Sequence, residues 1–430
     1  MRRRTLLWIA IAAVVGLVSS CPAAGGEGDP APAPPPVPGD RYGAIPGEVE
    51  PWKGVGEPYQ RWFLQKTEFK GAGREEPEPE GLKSVKLGIL APLYNHPDMP
   101  LGTAMRDGMV LAIEEANADG GYRKIPFEAV EKNDLPLWGA SSNTIVELCY
   151  DDEVWAILGS VEGNSTHILL RVALKIEIPI VNTADTDPTL METNIPWILR
   201  VIPDDRQACY RLFARCFHEK GLRRMAILRT GERYGRFGVA EFADSFRRAG
   251  APVAADLRYA RGGALPEGTI EKIRAARCDG ILLWGNADEM GRAVKALRAG
   301  GVDLPVFGPD RMVSEAFVKE AGDAAEGATA AFPYDPGRGE PRWTSFVKRY
   351  RDRHGREPDQ YAAYGYDGAR LLVQCVRKAG LNRARIRDEL YAVDSWDEGV
   401  TGPMRFDAVK SNLRPAVLAR RAAGKWVYEK

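Results

Sequence analysis

Val154-Trp155-Ala156-Ile157-Leu158-Gly159-Ser160-Val161-Glu162-Gly163-Asn164-Ser165-Thr166 is the stretch on which the fold turns. Residues 154–158 form a short apolar run bounded by small residues, which reads as a buried strand. Beyond the loop, Ile168, Val172 and Ile176 recur on one face of a helix. The loop therefore joins a strand's carboxyl end to a helix amino terminus, where free N–H groups and the positive end of the dipole favour an anion. Asn164 and Ser165 become candidate ligand contacts, suited to a carboxylate, although either could equally serve as the helix cap.

The same unit repeats on both sides. Upstream, Val85, Leu87 and Ile89 alternate as in a strand, and Met105, Met109, Ala112 and Ala116 follow at helical spacing until Asp119-Gly120-Gly121 stops them. A strand is expected over 127–130, a helix over 141–149 and a strand over 178–182. That last strand runs into Thr183-Ala184-Asp185-Thr186-Asp187-Pro188, where Asp185 and Thr186 lie at its carboxyl end. A second series starts near Arg206, with helices over 206–220, 236–249, 266–276 and 288–299. Its strands fall over 225–228, 253–259, 280–284 and 305–308. Alternation at this spacing predicts two Rossmann-like α/β lobes with parallel sheets and helices on both faces. Open sheets of this kind bind ligands beyond the carboxyl ends of their strands, so facing lobes would share a cleft.

In the second series, Val306-Phe307-Gly308-Pro309-Asp310 places a carboxylate at an equivalent strand end. An acid facing an anion-binding loop across a cleft is what a zwitterion requires, which makes amino acids the leading ligand class. Signatures of catalysis are missing. His96, His167, His218 and His354 are the four histidines, none at metal-ligand spacing to another His or Cys, and no cofactor or metal is expected. There is no G-x-S-x-G, no Walker-type loop and no G-x-G-x-x-G, and the glycines Gly231, Gly235 and Gly238 are wrongly spaced for a phosphate loop. No nucleophile with its base is visible, so the expectation is a binding protein and not an enzyme.

The 430 residues carry 59 basic and 59 acidic side chains, a net charge of zero. Nothing in that balance attracts nucleic acid. Arg2, Arg3 and Arg4, the apolar run 6–18 and Val18-Ser19-Ser20-Cys21 form a secretory signal whose ending resembles a bacterial lipoprotein leader, with Cys21 as the lipidated residue. An ordinary secretory signal, or an uncleaved anchor, is the plainer alternative. Either way the folded chain is expected outside the cytoplasm, and in the lipoprotein reading only its lipid holds it at a membrane. Ala31-Pro32-Ala33-Pro34-Pro35-Pro36-Val37-Pro38 reads as part of an extended tether over 22–40. Residues 41–82, with Trp52, Tyr59, Trp62, Phe63 and Phe69, are expected to pack on the body, a partner-binding arm being the alternative. Past Cys21 the odd set Cys149, Cys209, Cys216, Cys278 and Cys375 cannot pair completely. Cys209 and Cys216 stand about 10.5 Å apart along one helix, too far for a bridge, so buried thiols are expected, a long-range bridge such as one involving Cys149 being the alternative.

With these loops in place the chain resembles the type I periplasmic substrate-binding proteins, and within them the leucine/isoleucine/valine-binding receptors of ABC transporters. The matching stretches are Val85-Lys86-Leu87-Gly88-Ile89-Leu90-Ala91-Pro92-Leu93, Ala116-Asn117-Ala118-Asp119-Gly120-Gly121, Thr186-Asp187-Pro188-Thr189-Leu190, Tyr234-Gly235, Asp288-Glu289-Met290-Gly291, Ala321-Gly322-Asp323-Ala324-Ala325-Glu326-Gly327 and Ala363-Tyr364-Gly365-Tyr366-Asp367. Each is weak alone; their order over about residues 83–425 is specific. The resemblance implies lobes of residues 83–203 plus 334–398 and 204–333 plus 399–430. They would be joined by three crossovers near 202–206, 331–335 and 397–402. It also implies an extracytoplasmic receptor delivering a small polar solute to ABC permease subunits, a ligand sensor on the same fold being the alternative. By the same resemblance, Asn164, Ser165 and Thr186 hold the ligand's carboxylate or amine, Asp310 neutralises its ammonium and Tyr234 lines the second wall. The departures are Asp185, a second acid where small residues are usual, and Asn286-Ala287, where a larger side chain can stand. Two pocket acids would favour a ligand with added positive charge over a branched-chain amino acid.

Overall fold

The structure, a computed structural model, describes residues 73–135 and 138–429. Cys21, the tether and residues 41–72 of the expected extension lie outside the described residues.

Strands form where apolar runs are buried on both faces, as a parallel sheet covered by helices demands. β1 (Val85–Ala91), β2 (Phe127–Asn133), β3 (Ile157–Gly159), β4 (Ile180–Asn182) and β5 (Ile198–Pro203) belong to one sheet, in the order β5-β4-β3-β1-β2, and all pair in parallel. β6 (Met225–Thr230), β7 (Ala255–Tyr259), β8 (Gly280–Trp284), β9 (Val306–Gly308) and β10 (Thr329–Phe332) form the second, in the order β10-β9-β8-β6-β7, again in parallel. Each sheet is packed against helices in buried apolar clusters, which gives the two expected α/β lobes. Among the described residues no helix is long and apolar enough to cross a membrane.

The chain passes between the two sheets three times. After β5 the chain passes into the Asp205–Phe213 helix, which packs on β10 and the Ala240–Arg248 helix; after β10 it returns to the Pro341–His354 helix on the first lobe. The third is displaced. A small ribbon of β11 (Ser395–Trp396) and β12 (Met404–Arg405) precedes β13 (Ser411–Asn412), which pairs in parallel with β5. Only at β14 (Val417–Ala422) does the chain join the second sheet, so the crossing lies between Asn412 and Val417 and residues 411–412 stay with the first lobe, not the second. β14 pairs antiparallel with β10, and β15 (Lys425–Glu429) antiparallel with β14, so the second sheet is mixed and not purely parallel.

Other departures are local. The helix expected over 206–220 is α-helical only over Asp205–Phe213 and continues as a π-helix over Ala214–Glu219. The helix expected from 236 begins at Arg233, ends at Gly238 and re-forms over Ala240–Arg248. All five described cysteines are free thiols, four of them buried. Residues 73–82 are held on the first lobe: Arg74 pairs with Asp388 at 2.6 Å and Asn382 Nδ2 donates to the Gly73 carbonyl at 2.6 Å.

Candidate functional site

The carboxyl ends of both sheets face one another across a cavity of about 290 Å³. From the first lobe come the loop after β1, with Asp98, the β3 loop with Glu162 and Asn164, and the β4 loop with Asp185 and Asp187. From the second come Arg233 and Tyr234 after β6, Arg261 after β7, Asn286 after β8 and Arg311 after β9. The loops thus bring most of the acids to one wall and the guanidinium groups to the other, Glu232 on the second lobe, 3.2 Å from Arg261, being the exception.

These charges pair across the cleft. Arg233 Nε donates to Asp187 Oδ2 and its Nη2 lies 2.7 Å from His167 Nε2. Burial, followed by the Arg233 charge, pushes the His167 imidazole down to about 4, so the ring is neutral at ordinary pH and its Nε2 accepts from the guanidinium. Arg261 lies 2.8 Å from Asp98 Oδ1 and donates to Glu162 Oε1 at 3.0 Å. Its loop is pinned from below: Glu289 accepts from Gly262 N at 2.7 Å and from Asn286 N at 2.9 Å. Burial alone would raise the Asp98 pKa, but the Arg311 and Arg261 charges overcome it and hold the carboxyl below its usual range.

The expected residues divide. Asn164, Asp185, Tyr234 and Asn286 line the cavity. Asn164 does not cap its helix; the helix begins at Gly163 with Glu162 at the cap, and no side chain bonds there. Ser165 points away from the cavity into a buried polar cluster, 3.5 Å from Ser141 Oγ, which itself donates to Asp134 at 2.9 Å. Thr186 and Asp310 line a separate, much smaller void of about 20 Å³ beside Asp205 and Phe332. Asp310 was expected to face the solute as the second lobe's anion. Instead its carboxylate accepts from Gln360 Nε2, from Tyr361 OH at 3.3 Å and from Tyr234 OH at 3.5 Å. Burial raises its pKa. The polarity of the cleft is therefore the reverse of the expectation, with the cations on the second lobe and the anions, Glu232 apart, on the first.

Asp185 is a pocket acid as expected, but not a simple anion. Burial, with the Asp187 charge next, raises it to about 7. Its Oδ1 accepts from Asp187 N at 3.0 Å, while Oδ2 has no hydrogen-bond partner among the described residues. Arg233, Arg261, Arg311 and Asp98 were missed by sequence reasoning. The signal was present, since each follows a strand's carboxyl end, yet an isolated arginine in a loop carries no periodicity. His96, Asp98 and Glu162 place potential metal-ligand atoms within 4.8 Å of one another, but the Arg261 guanidinium already neutralises both carboxylates.

Comparison with known proteins agrees with this architecture. The sequence profile of the family described as "Periplasmic binding protein" matches residues 84–423. The leucine-, isoleucine-, valine-, threonine- and alanine-binding protein of Pseudomonas aeruginosa is 22% identical over 331 residues, 75% of this chain and 86% of that protein. The fold is similar to the branched-chain amino acid transporter substrate-binding protein LivJ from Streptococcus pneumoniae in complex with isoleucine, with a TM-score of 0.72, 22% identity and coverage of 81% of this chain and 100% of that one. It is also similar to the leucine-binding protein LivK from Thermotoga maritima, with a TM-score of 0.74, 20% identity and coverage of 80% and 98%.

Proposed function

The chain belongs to the periplasmic binding protein family, and from that premise we propose that it is the extracytoplasmic receptor of an ABC importer, capturing a small zwitterionic solute of the amino-acid class between its lobes. The observation that carries this reading is the pairing of lobe-one acids with lobe-two guanidinium groups around a cavity of about 290 Å³. A zwitterion entering there exchanges its ammonium for one guanidinium and its carboxylate for one acid, so no buried charge is left uncompensated. A monovalent apolar solute would leave charges unmatched, which argues against a purely aliphatic pocket. The names of the relatives support amino acids as the class. The polar walls, including Asn164 and Asn286, favour a ligand with further hydrogen-bonding groups.

Capture and release require no bond-making, and the reading assigns no catalytic step. Lipidation at Cys21 would hold the receptor beside its permease; Cys21→Ala should move the protein from the membrane fraction to the soluble fraction. The reading as a whole is tested by thermal shift with a panel of amino acids, amides, polyamines and organic acids. A solute at 100 times its Kd should add about 2.7 kcal/mol to stability. A panel in which only polyamines, or nothing, shifts the melting point would refute the amino-acid class. Loss of uptake of the binding solute on deletion of the gene would separate an import receptor from a sensor.

A further inference from the structure

Arg311 is the most buried of the cavity's guanidinium groups and, unlike Arg233 and Arg261, has no carboxylate of its own; Arg236 also lines the cavity without an ion pair among the described residues, but it is exposed. Arg233 is closed against Asp187, and Arg261 lies 2.8 Å from Asp98. Among the described residues the acid oxygen nearest to Arg311 in an ion pair is that same Asp98 Oδ1, at 3.8 Å and already engaged by Arg261. Its neighbour Asp310 is occupied by Gln360, Tyr361 and Tyr234. Among the described residues Arg311 has one hydrogen-bond acceptor, Asn286 Oδ1, which takes Nη1; Nε and Nη2 have none. Yet the side chain is nine-tenths buried and lines the larger cavity.

A guanidinium in that position is costly unless an anion meets it. It is also held in one orientation. The Arg311 guanidinium carbon lies 3.9 Å from the centre of the Tyr234 ring, and Asn286 fixes one corner of the fork. A fork held by stacking and one bond, with its remaining N–H groups left over, has the form of a two-point carboxylate receptor.

We propose that Arg311 is the carboxylate anchor of the cleft, binding the carboxylate of a small organic acid, amino acids included, through Nε and Nη2. The inference rests on the cleft being the solute site, and it deepens that reading by naming the residue that selects acids over their neutral analogues. Tyr234 and Asn286, singled out from the sequence as direct ligand contacts, act through Arg311 as its stacking plane and its orienting acceptor.

The test is calorimetric titration of the mature wild-type chain, Arg311→Gln and Arg311→Lys with matched pairs: L-leucine and L-leucinamide, L-phenylalanine and its amide, benzoate and benzamide, succinate and succinamide. In the wild type at least one acid should bind about 30-fold or more tightly than its amide, the effect of about 2 kcal/mol of charge-assisted hydrogen bonding. Arg311→Gln should erase that preference by weakening the acid while leaving the amide unchanged, a change in selectivity that mere loosening of the fold would not produce. Arg311→Lys, which keeps the charge without the fork, should retain part of the preference and decides the matter if the glutamine variant does not fold. Absence of binding by every acid, equal binding of acid and amide, or an intact preference in both variants would overturn the proposal. Arg311-dependent binding of benzoate or succinate without any amino acid would sink the amino-acid reading and leave the anchor standing. Amino-acid binding with full preference in the variants would do the reverse.

Discussion

Asp185 shows how a residue's place can be read from sequence while its charge state is not. Its position after β4 marked it as a pocket acid, but charge state depends on surroundings that only the fold supplies. Burial and Asp187 raise its pKa to about 7 from an unfolded value near 3.9. The folded protein therefore holds a proton that the unfolded chain has lost, and stability falls as pH rises from about 4 to about 7. Asp185→Asn should match the wild type near pH 4 and exceed it at pH 8, by an amount on the order of 2–4 kcal/mol in denaturant titrations. A wild type that gains on the variant as pH rises would contradict the shift. Asp310 makes the complementary case. Because its oxygens are taken by Gln360, Tyr361 and Tyr234, Asp310→Asn should lower the melting temperature of the unliganded protein while changing solute affinity less than about threefold, as read by calorimetry. Loss of binding with unchanged stability would restore the sequence-based role.

At the scale of elements, most of the architecture was legible because buried parallel strands are continuous apolar runs and their covering helices are amphipathic. β8 falls at the expected limits, 280–284. What the pattern hid has physical causes. β5 was passed over because Arg200 interrupts its apolar run, yet Arg200 is fully buried, its Nη2 paired with Asp204 at 2.9 Å and its Nη1 donating to the Asp187 carbonyl. β14 and β15 carry Arg420, Arg421, Lys425 and Glu429, which read as surface and not as sheet. Of the two longest described helices, Met99–Ala118 was visible in the pattern, whereas Gln360–Ala379 was not assigned, nor was its intimate crossing with the first. A Cβ added to Gly108 would stand 1.9 Å from the Ala362 carbonyl oxygen, and one added to Gly365 would stand 2.3 Å from that of Met105. Backbone cannot yield there as a flexible side chain would. Gly108→Val should destabilise the protein by about 3 kcal/mol or more in chemical denaturation, and a loss under 1 kcal/mol would argue against the close approach.

For the whole molecule, the two-lobe plan and the place of the cleft followed from sequence, because strand alternation fixes where loops gather. The polarity of the cleft did not follow. Long guanidinium side chains cross from one lobe to the other, and which acids they meet depends on how the lobes face. Arg233 and Arg261 bridge the lobes through Asp187, Asp98 and Glu162. Partly buried pairs of this kind weaken less with salt than exposed ones. Replacing both arginines by methionine should therefore favour separated lobes and increase the radius of gyration in small-angle scattering. An unchanged radius would mean that the crossovers alone set the lobe spacing. The most direct measurement of the central claim is a crystal structure of the mature chain grown with the amino acid giving the largest thermal shift. The account predicts solute density within the cavity, its carboxylate on Arg311 and its ammonium among Asp98, Glu162 and Asp187. Density outside the cleft, or a solute bound by only one lobe, would contradict it.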